Sequence, residues 1–335
     1  MAGTIEELLT RCVAVWCPGA AGVIGPTRLS GGASQETWSF EVVHPSGNVG
    51  AILRRAPPGY GAAPTRAAGL NIEAALMRLA YGAGVPSPKV LHVLRPDDGL
   101  GTGFIMERVE GETIPRKILR DQKFAEVRPR LARQCGGILA AIHGIAQPEL
   151  PELRRMTPAA EIAQLEHEYR GFDWPRPVFE LALRWLRDHD PGPSDEVTLV
   201  HGDFRHGNLI IGPDGVRAVL DWELAHIGDP MEDLGWICVN SWRFGEIDQP
   251  VGGFGTRGEL FAGYEAAGRR ADAARVNFWE VMGTLRWGIM CCGMMQRFRL
   301  SPDHSMERAM IGRRSSETEI DLLRLLAPRG GTDAG

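Results

Sequence analysis

A chain of 335 residues, 44% hydrophobic and 24% charged, has ordinary globular composition and enough length for two lobes or domains. Its formal charge of −5 argues against a nucleic-acid partner and against a uniformly basic membrane-binding face. Six cysteines without paired CxxC units read as reduced core thiols; the start lacks a basic region followed by an apolar stretch; and the longest apolar run, 287–295, is about half a membrane span. The expectation is a soluble, cytoplasmic protein that meets no membrane.

Taken in order, residues 4–16 place Ile5, Leu8, Leu9 and Val13 at helical spacing, which predicts a leading amphipathic helix. The period then changes. A short strand runs into the glycine-rich stretch 28–34, and 36–43 alternates with Thr37, Trp38, Phe40 and Val42. A turn at 45–48 leads to a second strand over 49–55, giving a hairpin. A loop over 57–64 precedes a helix over 71–81, and 90–94 and 103–109 read as two further strands. Beyond Gly111 the pattern is helical near 128–144, 157–170, 177–189, 257–267, 272–295 and 304–326. One break interrupts it, between Val197 and Asp221, with strand-like runs at 209–211 and 216–220. The chain therefore reads as α+β: an N-terminal β-rich lobe over 1–106 with its leading helix, a helical lobe over 107–330, and a tail over 331–335.

The chemistry concentrates in 199–234, LVHGDFRHGNLIIGPDGVRAVLDWELAHIGDPMEDL. A loop offering Asp203 and Asn208, followed by a hairpin that folds Asp221 back beside it, delivers a carboxylate and two oxygen ligands to one point. That set suits phosphoryl transfer. One carboxylate orients a hydroxyl and accepts its proton, while the oxygen ligands hold Mg²⁺ against phosphates.

His201-Gly202-Asp203 with Asn208 resembles the HxDxxxxN catalytic loop of protein kinases. Gly202, the Asp221-Trp222 pair standing in place of DFG, and Gly228-Asp229-Pro230 with Asp233-Leu234 resemble the aminoglycoside phosphotransferase and choline kinase branch. The resemblance implies a bilobal protein-kinase-like fold, with an antiparallel sheet lobe before a larger helical lobe. It implies ATP and Mg²⁺ as cofactors and a small-molecule hydroxyl as acceptor. It also implies a catalytic loop over 199–208 and a metal hairpin over 209–223, with Asp203 as catalytic base and Asn208 and Asp221 as Mg²⁺ ligands. His201 packs and orients the loop, and Asp229 and Asp233 cap the next helix and tie the loop down. Glu223 is either a second metal ligand or a solvated charge. Arg205 stands where protein kinases place a lysine near the γ-phosphate, or else is a surface arginine.

In the first lobe the backbone N–H groups of Ser30, Gly31, Gly32 and Ser34 are placed to cover phosphates, although Gly31-Gly32 also serves a plain turn. No GxxxxGK[ST] occurs, which argues against a Walker-type ATPase. Where the family carries lysine or arginine, the strand reads Ala51-Ile52-Leu53-Arg54-Arg55; strand alternation sends one arginine outward, so Arg54, or else Arg55, is the expected phosphate-gripping residue, with Glu73 as its partner. Met106 is the expected gatekeeper, with the Glu107 carbonyl and the Val109 N–H pairing with adenine.

The stretches LSGGASQETWSF and LRRAPPG are similar to the kinase-like domains associated with acyl-CoA dehydrogenases. That implies a hydroxyacyl-CoA acceptor and a functional link to an acyl-CoA dehydrogenase. Trp236, Trp242, Phe244, Trp279 and Trp287, with Arg243 and Arg286, are candidates for lining an apolar, anion-accepting cleft, or are core. Three readings stay open: a hydroxyacyl-CoA kinase, a kinase of a polar amine or sugar, and a nucleotide-binding pseudokinase.

Overall fold

The computed structural model describes residues 4–29, 35–56, 67–172, 174–300 and 304–327. Helix α1 (Ile5–Trp16) starts where Thr4 and Glu7 close a capping box: the Glu7 N–H donates to Thr4 Oγ1 at 3.3 Å and the Thr4 N–H to the Glu7 carboxylate at 2.9 Å. Strands β1 (Gly22–Arg28), β2 (Glu36–Val43) and β3 (Val49–Ala56) follow, then helix α2 (Leu70–Gly82) and strands β4 (Val90–Val93) and β5 (Thr102–Glu107). They form an antiparallel sheet in the order β1-β2-β3-β5-β4. Alternation along β3 sends Ala51 and Leu53 into a core with Leu9, Cys12 and Val13 of α1, and Ile52 to the opposite face with Ala74 and Met77 of α2. The same alternation turns Arg54 toward α2 and Arg55 away from it.

The remainder is mostly helical: α3 (Pro115–Arg120), α4 (Leu131–His143), α5 (Pro158–Arg170) and α6 (Pro177–Asp188). Next come β6 (Thr198–Val200), the hairpin β7 (Leu209–Gly212) and β8 (Gly215–Val219), and β9 (His226–Gly228), which pairs antiparallel with β6. Helices α7 (Met231–Trp236), α8 (Arg257–Ala266), α9 (Ala273–Leu300), α10 (Met306–Gly312) and α11 (Ser315–Leu326) complete the chain. An antiparallel five-stranded sheet followed by helices is the kinase-like architecture that the motifs implied. The single helix expected over 304–326 is two, separated by a turn at 313–314; Gly312 just before it lies so close to α9 that a Cβ would come within 2.8 Å of Met295 Cβ. Three-residue strands β6 and β9 and the six-residue helix α3 were not anticipated, being too short to establish a period; α7 is the helix expected after Asp229, but Asp233 lies inside it and does not cap it.

Helix α9 is the axis of the helical part, burying Val276, Trp279, Met282, Leu285 and Ile289 against its neighbours. All six cysteines are free and five are buried; burial, then the nearby Asp98 carboxylate, pushes the Cys12 thiol up to about 12. Among the described residues, no helix is long and apolar enough to cross a membrane.

Helices α4 and α8 cross at glycines. A Cβ on Gly136 would stand 2.0 Å from the Leu260 carbonyl oxygen, whereas one on Gly137 would meet only the Gly263 oxygen at 3.9 Å. Gly136→Ala must push the helices apart and is expected to cost about 1–3 kcal/mol. Gly137→Ala, one residue along, is expected to gain about 0.5–1 kcal/mol from helix propensity. Urea denaturation midpoints moving in opposite directions check the pair; equal shifts would contradict the crossing.

Candidate active site

The loop between β6 and β7 hangs from a buried carboxylate. The N–H groups of His201 and Gly202 donate to Asp233 of α7 at 2.8 and 2.9 Å, and His143 Nε2 lies 3.1 Å from the same group. The His201 ring is buried against Trp222 and Phe204, and its Nδ1 accepts the Asp203 N–H at 3.2 Å. Desolvation holds this imidazole below its ordinary range, which keeps it neutral and suits the acceptor role. Between them Gly202 has φ +78°, and a Cβ there would sit 2.6 Å from the Leu224 oxygen, so the turn into Asp203 requires glycine. Asp229 accepts from the Met231 N–H at 2.9 Å, Arg275 Nη2 at 2.6 Å and Trp279 Nε1 at 2.9 Å, which anchors the start of α7 to α9.

Asp203 is held on both oxygens. Oδ1 accepts from Trp236 Nε1 at 2.8 Å and Arg205 Nε at 3.0 Å, and Oδ2 accepts from Asn208 Nδ2 at 2.6 Å. Because Asn208 Nδ2 also donates to the Asp203 carbonyl at 3.0 Å, the amide oxygen of Asn208 is turned away from Asp203. Arg205 stacks its guanidinium over the Trp242 ring, 4.7 Å from the centroid.

The hairpin returns Asp221 to the same place, since the Leu220 N–H donates to the Asn208 carbonyl at 2.8 Å. Asp221 adopts a left-handed φ of 68° at the head of the 3₁₀ turn Trp222–Leu224. Arg54 reaches across from β3. Its Nη2 donates to Asp221 Oδ1 at 2.7 Å, its Nη1 lies 3.3 Å from Glu73 and its Nε donates to Gln35 at 2.6 Å. Glu223 stands 3.6 Å from the same guanidinium.

Burial pushes the Glu73 carboxyl up to about 7 against the pull of Arg54, and burial together with Asp221 pushes Glu223 up to about 6. Three carboxylates therefore share one guanidinium. Their oxygens are hard donors carrying excess negative charge, the donor type a divalent cation takes, although among the described residues the group with its ligand atoms within 4.8 Å of one another is Cys12, His92 and Asp98.

The structure thus brings together Asp203, Arg205, Asn208, Asp221, Arg54 and Glu73. Glu223 stands at the edge of the cluster, 34% exposed, with Arg54 at 3.6 Å and the Gln35 amide at 3.5 Å. Arg55 instead pairs with Glu36, its Nε donating at 2.9 Å. Met106 is buried at the end of β5, with Glu107 and Val109 half-buried beside it. Ser30, Gly31, Gly32 and Ser34 lie outside the described residues.

The cleft reading needs correcting for five residues, of which Trp236 and Trp242 are buried against each other as core. Trp279 is buried on Asp229, Arg243 donates to Glu280 at 2.8 Å, and Arg286 donates to Glu232 at 2.7 Å, so these are internal ties. Gln35 was missed. Its signal is the β2–β3 register, which pairs Glu36 with Arg55 and Thr37 with Arg54 and so puts the preceding residue at the site end of the hairpin.

The kinase-like sheet-and-helix fold and a polar cluster of Asp203, Asn208, Asp221 and Arg54 are what a small-molecule phosphotransferase presents. The chain belongs to the phosphotransferase enzyme family, whose model matches residues 26–271. It is 29% identical over 248 residues to acyl-CoA dehydrogenase family member 11 of Gallus gallus, covering 70% of this chain and 30% of that protein. It is 30% identical over 199 residues to acyl-CoA dehydrogenase family member 10 of Mus musculus, covering 56% and 18%. The chain thus spans less than a third of these relatives' length. Among solved structures, a Ralstonia eutropha protein provisionally described as an aminoglycoside phosphotransferase superposes with TM-score 0.72 at 22% identity, covering 95% of this chain and 97% of that one. A choline/ethanolamine kinase family protein of Mesorhizobium loti gives 0.62 at 21%, covering 95% and 94%.

Asp233 accepts three donors, all buried. Asp233→Asn turns an NH₂ toward one of them and is expected to cost about 2–3 kcal/mol of stability, measured by urea denaturation. A variant as stable as the parent would contradict the anchoring role.

Proposed function

We propose that this chain transfers the γ-phosphoryl group of ATP, in the presence of Mg²⁺, to a hydroxyl of a small molecule, and that the acceptor is a hydroxyacyl-CoA. The observation that carries the reading is a pair of hydrogen-bonded groups, Asn208 on Asp203 and Arg54 on Asp221, tied together by the Leu220 N–H on the Asn208 carbonyl. In this reading Asp203 orients the acceptor hydroxyl and takes its proton as the oxygen attacks phosphorus. Asn208 and Asp221 hold the metal, with Glu223 beside them. Bound Mg²⁺ supplies charge neutralisation at the phosphate oxygens. Arg54, fixed by Glu73 and Gln35, grips phosphate; Arg205 reaches the γ-phosphoryl end; the backbone of Ser30, Gly31, Gly32 and Ser34 covers the phosphates. Adenine pairs with the Glu107 carbonyl and the Val109 N–H beside Met106.

Two features support the acceptor class. The curated relatives are named acyl-CoA dehydrogenase family members. Next to Asp203, Arg205 lies over the buried Trp242, on which the half-buried Trp287 packs with ring centroids 4.9 Å apart, so the side chain offered there is cationic. A polycationic acceptor wants carboxylates instead, and 239–255 offers only Glu246 and Asp248. A functional link to an acyl-CoA dehydrogenase follows from the same reading.

ADP release from Mg-ATP across hydroxyacyl-CoAs, free hydroxy acids, choline-like amines and aminoglycosides tests it. Turnover is expected on hydroxyacyl-CoAs, with Asp203→Asn lowering kcat on the order of 10²–10⁴-fold while ATP affinity is nearly kept. Asp221→Ala is expected to weaken Mg-ATP binding itself, read by calorimetry. Activity on amines alone would overturn the acceptor class, and no Mg²⁺-dependent ATP binding would overturn the kinase reading.

A further inference from the structure

The Asp203 carboxylate is asymmetrically loaded. Each of its oxygens offers two lone pairs. On Oδ1 both are taken, by Trp236 Nε1 at 2.8 Å and Arg205 Nε at 3.0 Å; on Oδ2 one is taken, by Asn208 Nδ2 at 2.6 Å. We infer that Asp203 receives the acceptor's proton on Oδ2, and that Trp236 is a positioning residue which holds Oδ1 and so aims Oδ2. The inference rests on Asp203 being the base. In the step, the acceptor O–H bond breaks as its proton moves to Oδ2. The same oxygen bonds to the γ-phosphorus, and the bond between that phosphorus and the β-bridging oxygen breaks, its electron pair leaving with ADP.

Trp236 is built to be immobile. Its side chain is 2% exposed, in a cluster with Val239 and Trp242. Helix α7 lies close against α9 because Gly235 has no Cβ; one there would meet Trp279 Cβ at 2.7 Å and the Glu280 nitrogen at 2.8 Å. Across from it Gly283 leaves room for the indole, since a Cβ on Gly283 would stand 2.8 Å from Trp236 Cε3.

The face of the ring carries Arg286, whose guanidinium carbon lies 4.0 Å from the centroid. A cation over the π face draws electron density from the indole and makes its N–H a stronger donor. Arg286 is itself pinned, Nη1 donating to Glu232 at 2.7 Å and Nη2 to the Gly202 carbonyl at 3.1 Å, while the other Glu232 oxygen lies 3.0 Å from His226 Nε2. A continuous buried strut therefore runs from β9 through Glu232, Arg286 and Trp236 to the base, and it grips the loop backbone at Gly202 on the way.

The test measures ADP release from Mg-ATP, with water as acceptor and with the best alcohol of the panel above. It compares the parent with Trp236→Phe, with Gly283→Ala, and with a protein carrying 3-benzothienylalanine at 236, where sulfur replaces the N–H in a ring of the same shape. Asp203→Asn is run alongside. The benzothienyl protein is expected to lose kcat on the order of 10- to 100-fold, the scale of a hydrogen bond to a charged group, with KM for ATP within about twofold. Gly283→Ala, which displaces the ring, is expected to lose kcat in the same way. A folded benzothienyl protein with parental kcat, beside an inactive Asp203→Asn, would overturn the role of Trp236 and leave the base in place. A loss of kcat matched by a lower Tm and a higher KM for ATP would make Trp236 merely structural and also overturn it. Full turnover in Asp203→Asn would overturn the base, and this inference with it.

Discussion

The site depends on one short helix. Helix α7 is six residues long, and from it Asp233 holds the loop backbone at His201 and Gly202, Glu232 holds Arg286, and Trp236 reaches Asp203. Six residues give too little helical stability to stand alone. Their position comes from packing: Asp229 ties the start of α7 to Arg275 and Trp279 of α9, and Gly235 brings the two backbones together. The place of the 201–208 loop is therefore set by the helical core, braced by a 28-residue helix that buries its middle, 276–292, against its neighbours.

A second constraint is electrostatic. Glu73, Asp221 and Glu223 surround Arg54, and only an arginine meets them all. Its planar fork sends Nη1 to Glu73, Nη2 to Asp221 and Nε to Gln35 at the same time, whereas a lysine ammonium is one point of charge. The departure from the lysine of the better-known kinases is thus matched by Gln35, which accepts the extra donor and gives its own amide N–H to Glu223 at 3.5 Å.

What the sequence made legible was local. The order of strand, loop and hairpin puts Asp203, Asn208 and Asp221 within nineteen positions of one another, and alternation along β3 separates Arg54 from Arg55. The five strands of the sheet and the longer helices carry enough residues to show their periods. The long-range polar pairs were not legible. Arg243 and Glu280 are 37 positions apart, Arg286 and Glu232 54, and Trp236 and Asp203 33. An arginine followed by an aromatic looks the same in a sequence whether it lines a cleft or closes a buried ion pair. Only the fold shows that a carboxylate waits opposite each one.

The abundance of such pairs around the loop has a physical reason. Glu280 takes Arg243 and Arg257, Glu232 takes Arg286 and His226, and Asp229 takes Arg275. A buried ion pair stabilises little over well-packed apolar residues of the same volume, because desolvation offsets most of the attraction. Losing one partner, however, strands a charge in the interior and is costly. Apolar contacts tolerate sliding, since one methyl packs nearly as well as another; a fork of N–H groups on a carboxylate does not. In the proposed reaction an Asp203 oxygen must meet a hydroxyl within a fraction of an ångström, and there that intolerance of displacement is the useful property. The pairs therefore work as register pins. They lie where α7, α9 and the loop meet, and they hold Asp203 to one orientation at little net gain in stability.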